Sequence, residues 1–147
     1  MNKLLSILIF ALLPGLALAH GEHDGAMGHA GDPAKVSTTI EVVMSDNMRF
    51  APDEIKVKAG DTIRFNVKNA GQIPHEMVIG SMSELKGHAE EMRKMPGLQH
   101  AEPNMIGLKP GQHGSIVWKF DKPGTVDFAC LVPGHMEAGM KGKVEVD

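Results

Sequence analysis

The sequence contains one cysteine, one tryptophan and no tyrosine among its 147 residues, and these scarcities limit what the protein can be. A single cysteine rules out an internal disulfide. So few aromatic residues give no sign of a carbohydrate-binding face. A formal net charge of −3 at pH 7 gives no reason to expect a nucleic acid as partner. The only long apolar run, at residues 4–13, is too short to span a bilayer, so we expect no membrane anchor.

The N-terminal segment has the three parts of an export signal. Lys3 gives a positive start, residues 4–13 form the apolar centre, and Ala17-Leu18-Ala19 supplies the small residues that a signal peptidase needs. We therefore expect residues 1–19 to be a signal peptide that is cleaved after Ala19. The mature protein is then expected in the periplasm.

A short segment near the C-terminus contains donors for a soft metal ion. Cys130-Leu-Val-Pro-Gly-His135-Met-Glu-Ala-Gly-Met140 places a thiol, an imidazole and a thioether within one loop. Two histidines, one cysteine and a weak axial methionine form the ligand set of a blue-copper electron-transfer site. The second histidine is expected to be His75, in Gly-Gln-Ile-Pro-His75. A bound metal would also explain a lone cysteine in an oxidising compartment.

Other interpretations of these residues remain open. Cys130 could be a buried structural thiol, and His75 could be a histidine of the core. Zinc is a rival metal, although a closed structural zinc site would use harder donors than methionine. Met136 also carries a thioether, but it directly follows His135 and should project away from the ion. We therefore expect Met140 to be the axial ligand.

Hydrophobic alternation predicts the fold class. Residues 20–35 contain four glycines and almost no large apolar side chains, so we expect a flexible tail there and one folded domain at residues 36–147. Strands are predicted at residues 39–44, 55–58, 62–68, 76–79, 114–120, 125–130 and 143–146. Residues 83–95 are rich in helix formers, with Ser83 as the N-cap and Pro96 after the end. The pattern indicates an all-β sandwich or Greek-key barrel with one helical insertion.

The chain resembles the cupredoxins, the family of plastocyanin, azurin and pseudoazurin, over roughly residues 40–146. The resemblance rests on Asn69-Ala-Gly-Gln-Ile-Pro-His75 and on the spacing of Cys130, His135 and Met140. It implies a Greek-key β-sandwich with a type 1 copper near one end. The closing sequence and the histidine-bearing tail look most like exported cupredoxins associated with bacterial copper tolerance.

The sequence departs from the family pattern at two positions. Many cupredoxins have asparagine after the first ligand histidine, where this chain has Glu76. The residue after the cysteine is often threonine or serine, and here it is Leu131. Both changes alter the surroundings of the ligands, which tune a metal site.

Eight histidines and eleven methionines suggest that more than one copper ion binds. The candidates for weaker sites are His20, His23, Met27, His29, His88, Met92, Met95 and His113. Two alternatives remain: that the helix face only packs on the barrel, and that the tail is a leader without function.

We expect a monomeric exported protein that binds copper and serves copper tolerance. The alternative is a dedicated one-electron carrier between respiratory proteins, which would dock at the apolar rim around His135. That rim consists of Ile73, Pro74, Pro133 and Met136. We expect no enzymatic activity, apart from a possible oxidation of Cu(I). An oxygenase using His20 as its mature N-terminus is given little weight, since the sequence shows no carbohydrate-binding face.

Overall fold

A computed structural model describes residues 28–95 and 101–147 as two five-stranded β-sheets with one α-helix. The strands are β1 Gly28–Ala30, β2 Thr38–Ser45, β3 Arg49–Ala51, β4 Glu54–Val57, β5 Thr62–Asn69, β6 His75–Gly80, β7 Met105–Leu108, β8 His113–Phe120, β9 Gly124–Ala129 and β10 Lys141–Val146. The order in one sheet is β1-β8-β5-β2-β3 and in the other β4-β10-β9-β6-β7. The pairs β2–β5 and β4–β10 are parallel, and the others are antiparallel. The predicted all-β sandwich with one helical insertion is confirmed.

The core lies between the inner faces of the two sheets. Successive side chains of a strand point to opposite faces of its sheet, so one face of each strand points inward. In β8, for example, Ile116, Trp118 and Phe120 are buried. Phe50 and Phe128 meet edge to face with ring centroids 5.1 Å apart, and Phe65 meets Phe120 at 6.3 Å. Cys130 and Met140 belong to the same buried cluster, so the predicted metal loop begins and ends in the core.

All seven predicted strands are present, and three further strands were missed. The missed strands, β1, β3 and β7, are three or four residues long, and each lies at the edge of its sheet. None of the three shows the apolar–polar alternation over four residues that reveals β4, which is equally short.

The structure differs from the expected flexible tail at residues 28–35. Gly28–Ala30 pairs with β8, and Pro33–Lys35 forms a 3-10 helix. Gly28 permits this pairing, because a Cβ there would clash with the Lys119 carbonyl and the Trp118 indole. The remainder of the predicted tail, residues 20–27, and the predicted signal peptide lie outside the described residues.

The predicted helix is α1, Met82–Lys94, between β6 and β7. Its N-cap is Ser81 rather than Ser83, because Ser81 and Glu84 form a reciprocal capping box. The buried Leu85 and Ala89 of the helix pack in a second apolar cluster that also contains Leu131. The insertion therefore rests on the residue that follows the predicted cysteine ligand. Within residues 28–95 and 101–147, no helix has the length and apolarity to cross a membrane.

Candidate metal centre

Three of the predicted ligands converge at one end of the sandwich. His75 Nδ1 lies 3.2 Å from His135 Nδ1, and Cys130 Sγ lies 3.3 Å from the same His135 nitrogen. One donor atom from each residue lies within 4.8 Å of the other two. At metal–nitrogen and metal–sulfur distances of about 2.0 and 2.3 Å, tetrahedral to trigonal ligation separates such donors by roughly 3.3–3.7 Å. The separations therefore fit a single ion bound by two imidazoles and a thiolate.

The ligand loop after β9 closes on itself through backbone hydrogen bonds. The Cys130 N–H donates to the Met140 carbonyl at 3.0 Å, and the Met140 N–H donates to the His135 carbonyl at 3.0 Å. Gly134 and Gly139 take positive φ angles of 87° and 100°, which residues with side chains rarely adopt. This closure brings the backbone of the fully buried Met140 beside that of Cys130. Its role as an axial ligand stays a prediction.

Met136 lies on a different side of the loop from Met140. It packs against the cluster under α1 that contains Leu85 and Leu131, whereas Met140 belongs to the main core. That Met136 projects away from the ion stays a prediction.

Asn69 organises the loop that carries His75. Its fully buried amide donates hydrogen bonds to the carbonyls of Ile73 at 2.8 Å and Leu108 at 3.0 Å, and accepts one from the Gly71 N–H at 2.9 Å. The side chain thereby satisfies three backbone groups of the loop and of β7. His75 is thus placed by a rigid loop as well as by the start of β6.

The second ring nitrogen of His75 meets a carboxylate that the sequence analysis missed. His75 Nε2 lies 2.9 Å from Asp46 Oδ1, and Asp46 Oδ2 accepts the Gln72 N–H at 2.7 Å. The bond from Gln72, followed by that from His75, lowers the pKa of Asp46 below its usual value. No sequence signal distinguished this aspartate from an ordinary turn residue between β2 and β3.

The Cys130 thiol is buried and lies within hydrogen-bonding distance of the Glu76 N–H and of His135 Nδ1. The Glu76 N–H approaches its sulfur at 3.4 Å. Burial raises the pKa of the thiol to about 12, and the negative charge of Glu76 acts in the same direction. Burial, followed by the nearby His75, lowers the pKa of His135. Without a metal, the centre therefore holds a thiol and a neutral His135 at pH 7.

Two arginines hold the outside of the ligand loop. Arg49 of β3 donates to the Ala138 carbonyl at 3.0 Å, and Arg93 of α1 pairs with Glu137 at 3.3 Å. A Cβ on Gly139 would lie only 2.8 Å from the Arg49 guanidinium, so a glycine there lets the arginine approach the backbone. The loop is therefore supported by an edge strand and by the helical insertion.

The candidates for weaker copper sites are not gathered in the same way. His29 and His88 line one cavity of about 930 Å³, and His29 Nδ1 lies 2.7 Å from Asp121 Oδ2. Within residues 28–95 and 101–147, His75, Cys130 and His135 form the only group of three histidine, cysteine or carboxylate side chains whose donor atoms are close enough to share an ion. The remaining candidates are the half-buried Met92, the exposed Met95 and His113, and His20, His23 and Met27, which lie outside the described residues.

Comparison with known proteins agrees with this geometry. The family described as "Copper binding proteins, plastocyanin/azurin family" matches residues 35–147. A relative named copper-resistant cuproprotein CopI, from Rubrivivax gelatinosus, is 52% identical over 130 residues, covering 88% of this chain and 78% of the relative. The protein of the same name from Pseudomonas aeruginosa is 32% identical over 171 residues, covering 96% and 94%. A crystal structure of reduced auracyanin from Roseiflexus castenholzii has a TM-score of 0.63 and 31% identity, covering 76% and 98%.

Proposed function

The chain belongs to the plastocyanin/azurin family of copper-binding proteins, and we propose that it is a periplasmic copper-tolerance protein with one redox-active type 1 copper. The observation that carries this proposal is the convergence of His75, Cys130 and His135 within 4.8 Å at one end of the sandwich. We propose Met140 as the fourth ligand, because the closed loop places it beside Cys130.

The chemistry of the donors suits a change between two oxidation states. Copper bound here would supply a one-electron Cu(I)/Cu(II) couple, since thiolate and thioether favour Cu(I) and imidazole accepts both states. The protein's contribution is to hold the donors in place. His75 and Cys130 are 1% and 0% exposed, and the Asn69 bonds and the closed ligand loop limit how far they can rearrange.

Copper tolerance is favoured over a role confined to electron transfer for two reasons. Two relatives are named copper-resistant cuproproteins: the one from Rubrivivax gelatinosus is 52% identical to this chain, and the match to the one from Pseudomonas aeruginosa covers 94% of that relative. The sequence also contains far more histidine and methionine than one copper site needs. We propose that the extra residues bind or pass on copper, and that the protein is not an enzyme.

A dedicated electron carrier is the second candidate, and the surface around the centre supports it. Ile73 is 39% exposed, and Pro74 and Pro133 are exposed as well, while Met136 is half-buried. The predicted apolar rim therefore reaches the surface beside the half-buried His135. Such a surface suits brief docking to a redox partner.

A copper titration distinguishes the two candidates. We compare a protein of residues 20–147 with one of residues 28–147, which loses His20, His23 and Met27 but keeps β1 paired to β8. For copper tolerance, the charge-transfer colour saturates at one Cu(II) per chain in both proteins, while the longer one binds further colourless copper. Bound copper and colour that saturate together at one ion in both would favour the carrier. A chain that develops no colour would overturn the type 1 assignment.

Copper binding should release about one proton per chain at pH 7. The proton comes from Cys130, because burial raises the thiol pKa to about 12 in the metal-free protein and only the thiolate binds copper. The apparent affinity should therefore rise by about tenfold per pH unit as long as the free thiol is protonated. Calorimetric titration in two buffers of different ionisation enthalpy measures the proton count. A count near zero would show that Cys130 is already a thiolate before copper arrives.

A further inference from the structure

We propose that Asp46 is a positioning residue of the copper centre, which fixes the tautomer of His75 and favours Cu(II) over Cu(I). The inference rests on the proposed function, since it concerns the same copper site. Asp46 belongs to the turn between β2 and β3, in the opposite sheet from the strand that begins with His75.

Both oxygens of the Asp46 carboxylate are used as acceptors. Oδ1 lies 2.9 Å from His75 Nε2, and Oδ2 accepts the Gln72 N–H at 2.7 Å. Gly71 makes this approach possible, because a Cβ at that position would overlap Asp46 Oδ1. An ionised carboxylate accepts at both oxygens, whereas an amide of the same shape has only one acceptor. The arrangement therefore selects for aspartate over asparagine.

The contact determines which nitrogen of His75 faces the metal. A neutral imidazole carries one N–H, and a carboxylate that only accepts places that hydrogen on Nε2. The lone pair then lies on Nδ1, the atom that is 3.2 Å from His135 Nδ1 in the candidate centre. The His75 side chain is 0% exposed, so the partner of its Nε2 is Asp46 and not bulk water.

The negative charge has a second effect beyond orientation. A carboxylate partner makes a ligand imidazole more basic, and the added charge stabilises the more positive Cu(II) ion. The Asp46 side chain is 38% exposed, so solvent weakens this effect without removing it. We therefore expect Asp46 to lower the reduction potential of the bound copper.

The test uses Asp46→Asn and Asp46→Ala, with Glu41→Gln as the control that removes one negative charge from the same strand region without touching His75. Long-range ¹⁵N–¹H NMR of the metal-free protein should show His75 as the Nε2–H tautomer in the native chain and in the control. Asp46→Ala should lose this preference, whereas Asp46→Asn, whose amide oxygen can still accept one hydrogen bond, should only weaken it. An Nδ1–H tautomer in the native metal-free protein would overturn the inference, even if the chain binds copper as proposed.

Metal affinities provide the second measurement. The Cu(II) affinity of both Asp46 variants should fall by about 10- to 100-fold, the usual cost of losing a partner of a metal ligand. The Cu(I) affinity should fall less, so the reduction potential should rise, and Glu41→Gln should change neither. Equal losses for Cu(I) and Cu(II) would overturn the claim that Asp46 favours Cu(II). A native chain without coloured copper would instead contradict the proposed function, whatever the tautomer.

Discussion

Replacing Cys130 with serine should abolish the intense thiolate-to-copper absorption of the copper-loaded protein. The band requires a sulfur–copper bond, and the chain has no other cysteine. A serine hydroxyl of nearly the same size is a hard oxygen donor that is not ionised at pH 7. Copper affinity should fall by more than the roughly 100-fold that loss of a supporting partner can cost. Visible absorption and competition with a copper chelator measure the two effects.

Two methionine variants of the same loop provide matched comparisons. Met136→Leu should keep the band unchanged, because Met136 packs against the cluster under α1. Met140→Leu should shift the band without abolishing it, because an axial thioether is a weak ligand. An intense band in Cys130→Ser would contradict the ligand assignment. Loss of the band in Met136→Leu would show that the loop is arranged differently around the ion.

The pairing of Cys130 with His135 in one cluster could be predicted, because the two residues are close together in sequence. Cys130, His135 and Met140 lie within one loop, and soft donors at such a spacing have few alternative uses. Asp46 could not be predicted, because it lies 29 residues from His75 and meets it only when two sheets pack together. The contact of Arg49 with the Ala138 carbonyl could not be predicted either, because Arg49 lies in β3, an edge strand that the sequence did not predict.

The same distinction applies to the fold. Strands such as β5 and β8, with eight residues each, repeat their alternation often enough to be recognised. The strand at Gly28–Ala30 is defined by its pairing with β8 and not by its own composition. At the helix start, Ser81 and Ser83 both precede helix formers, and only the reciprocal bond with Glu84 decides between them.

The packing of the helical insertion explains one of the two departures from the family pattern, Leu131, but not the other, Glu76. Leu131, where threonine or serine is common, is 1% exposed and packs with Leu85 and Ala89 of α1. A hydroxyl in that apolar cluster would need a hydrogen-bond partner, so leucine suits a chain with this helical insertion. Glu76 is 8% exposed and its N–H points to the Cys130 sulfur, a contact that any residue except proline can make at this position.

Asn69→Ala should produce the largest loss of stability among the polar substitutions near the centre. The amide is fully buried and serves the carbonyls of Ile73 and Leu108 and the N–H of Gly71. Each buried group left without a partner costs about 1–3 kcal/mol, so the free energy of unfolding should fall by about 3–5 kcal/mol. Urea unfolding of the metal-free protein measures this loss without any contribution from copper.

Asn66→Ala is the matched control, because it removes the same side chain from the same strand. Asn66 makes one exposed hydrogen bond, to Glu41 at 2.8 Å, so its loss should change the unfolding free energy by about 0.5 kcal/mol or less. Asn69→Ala should also weaken copper binding, because the loop that holds His75 loses its support, whereas Asn66→Ala should leave it unchanged. Equal stability losses in the two variants would mean that the Asn69 bonds do not hold the His75 loop in solution.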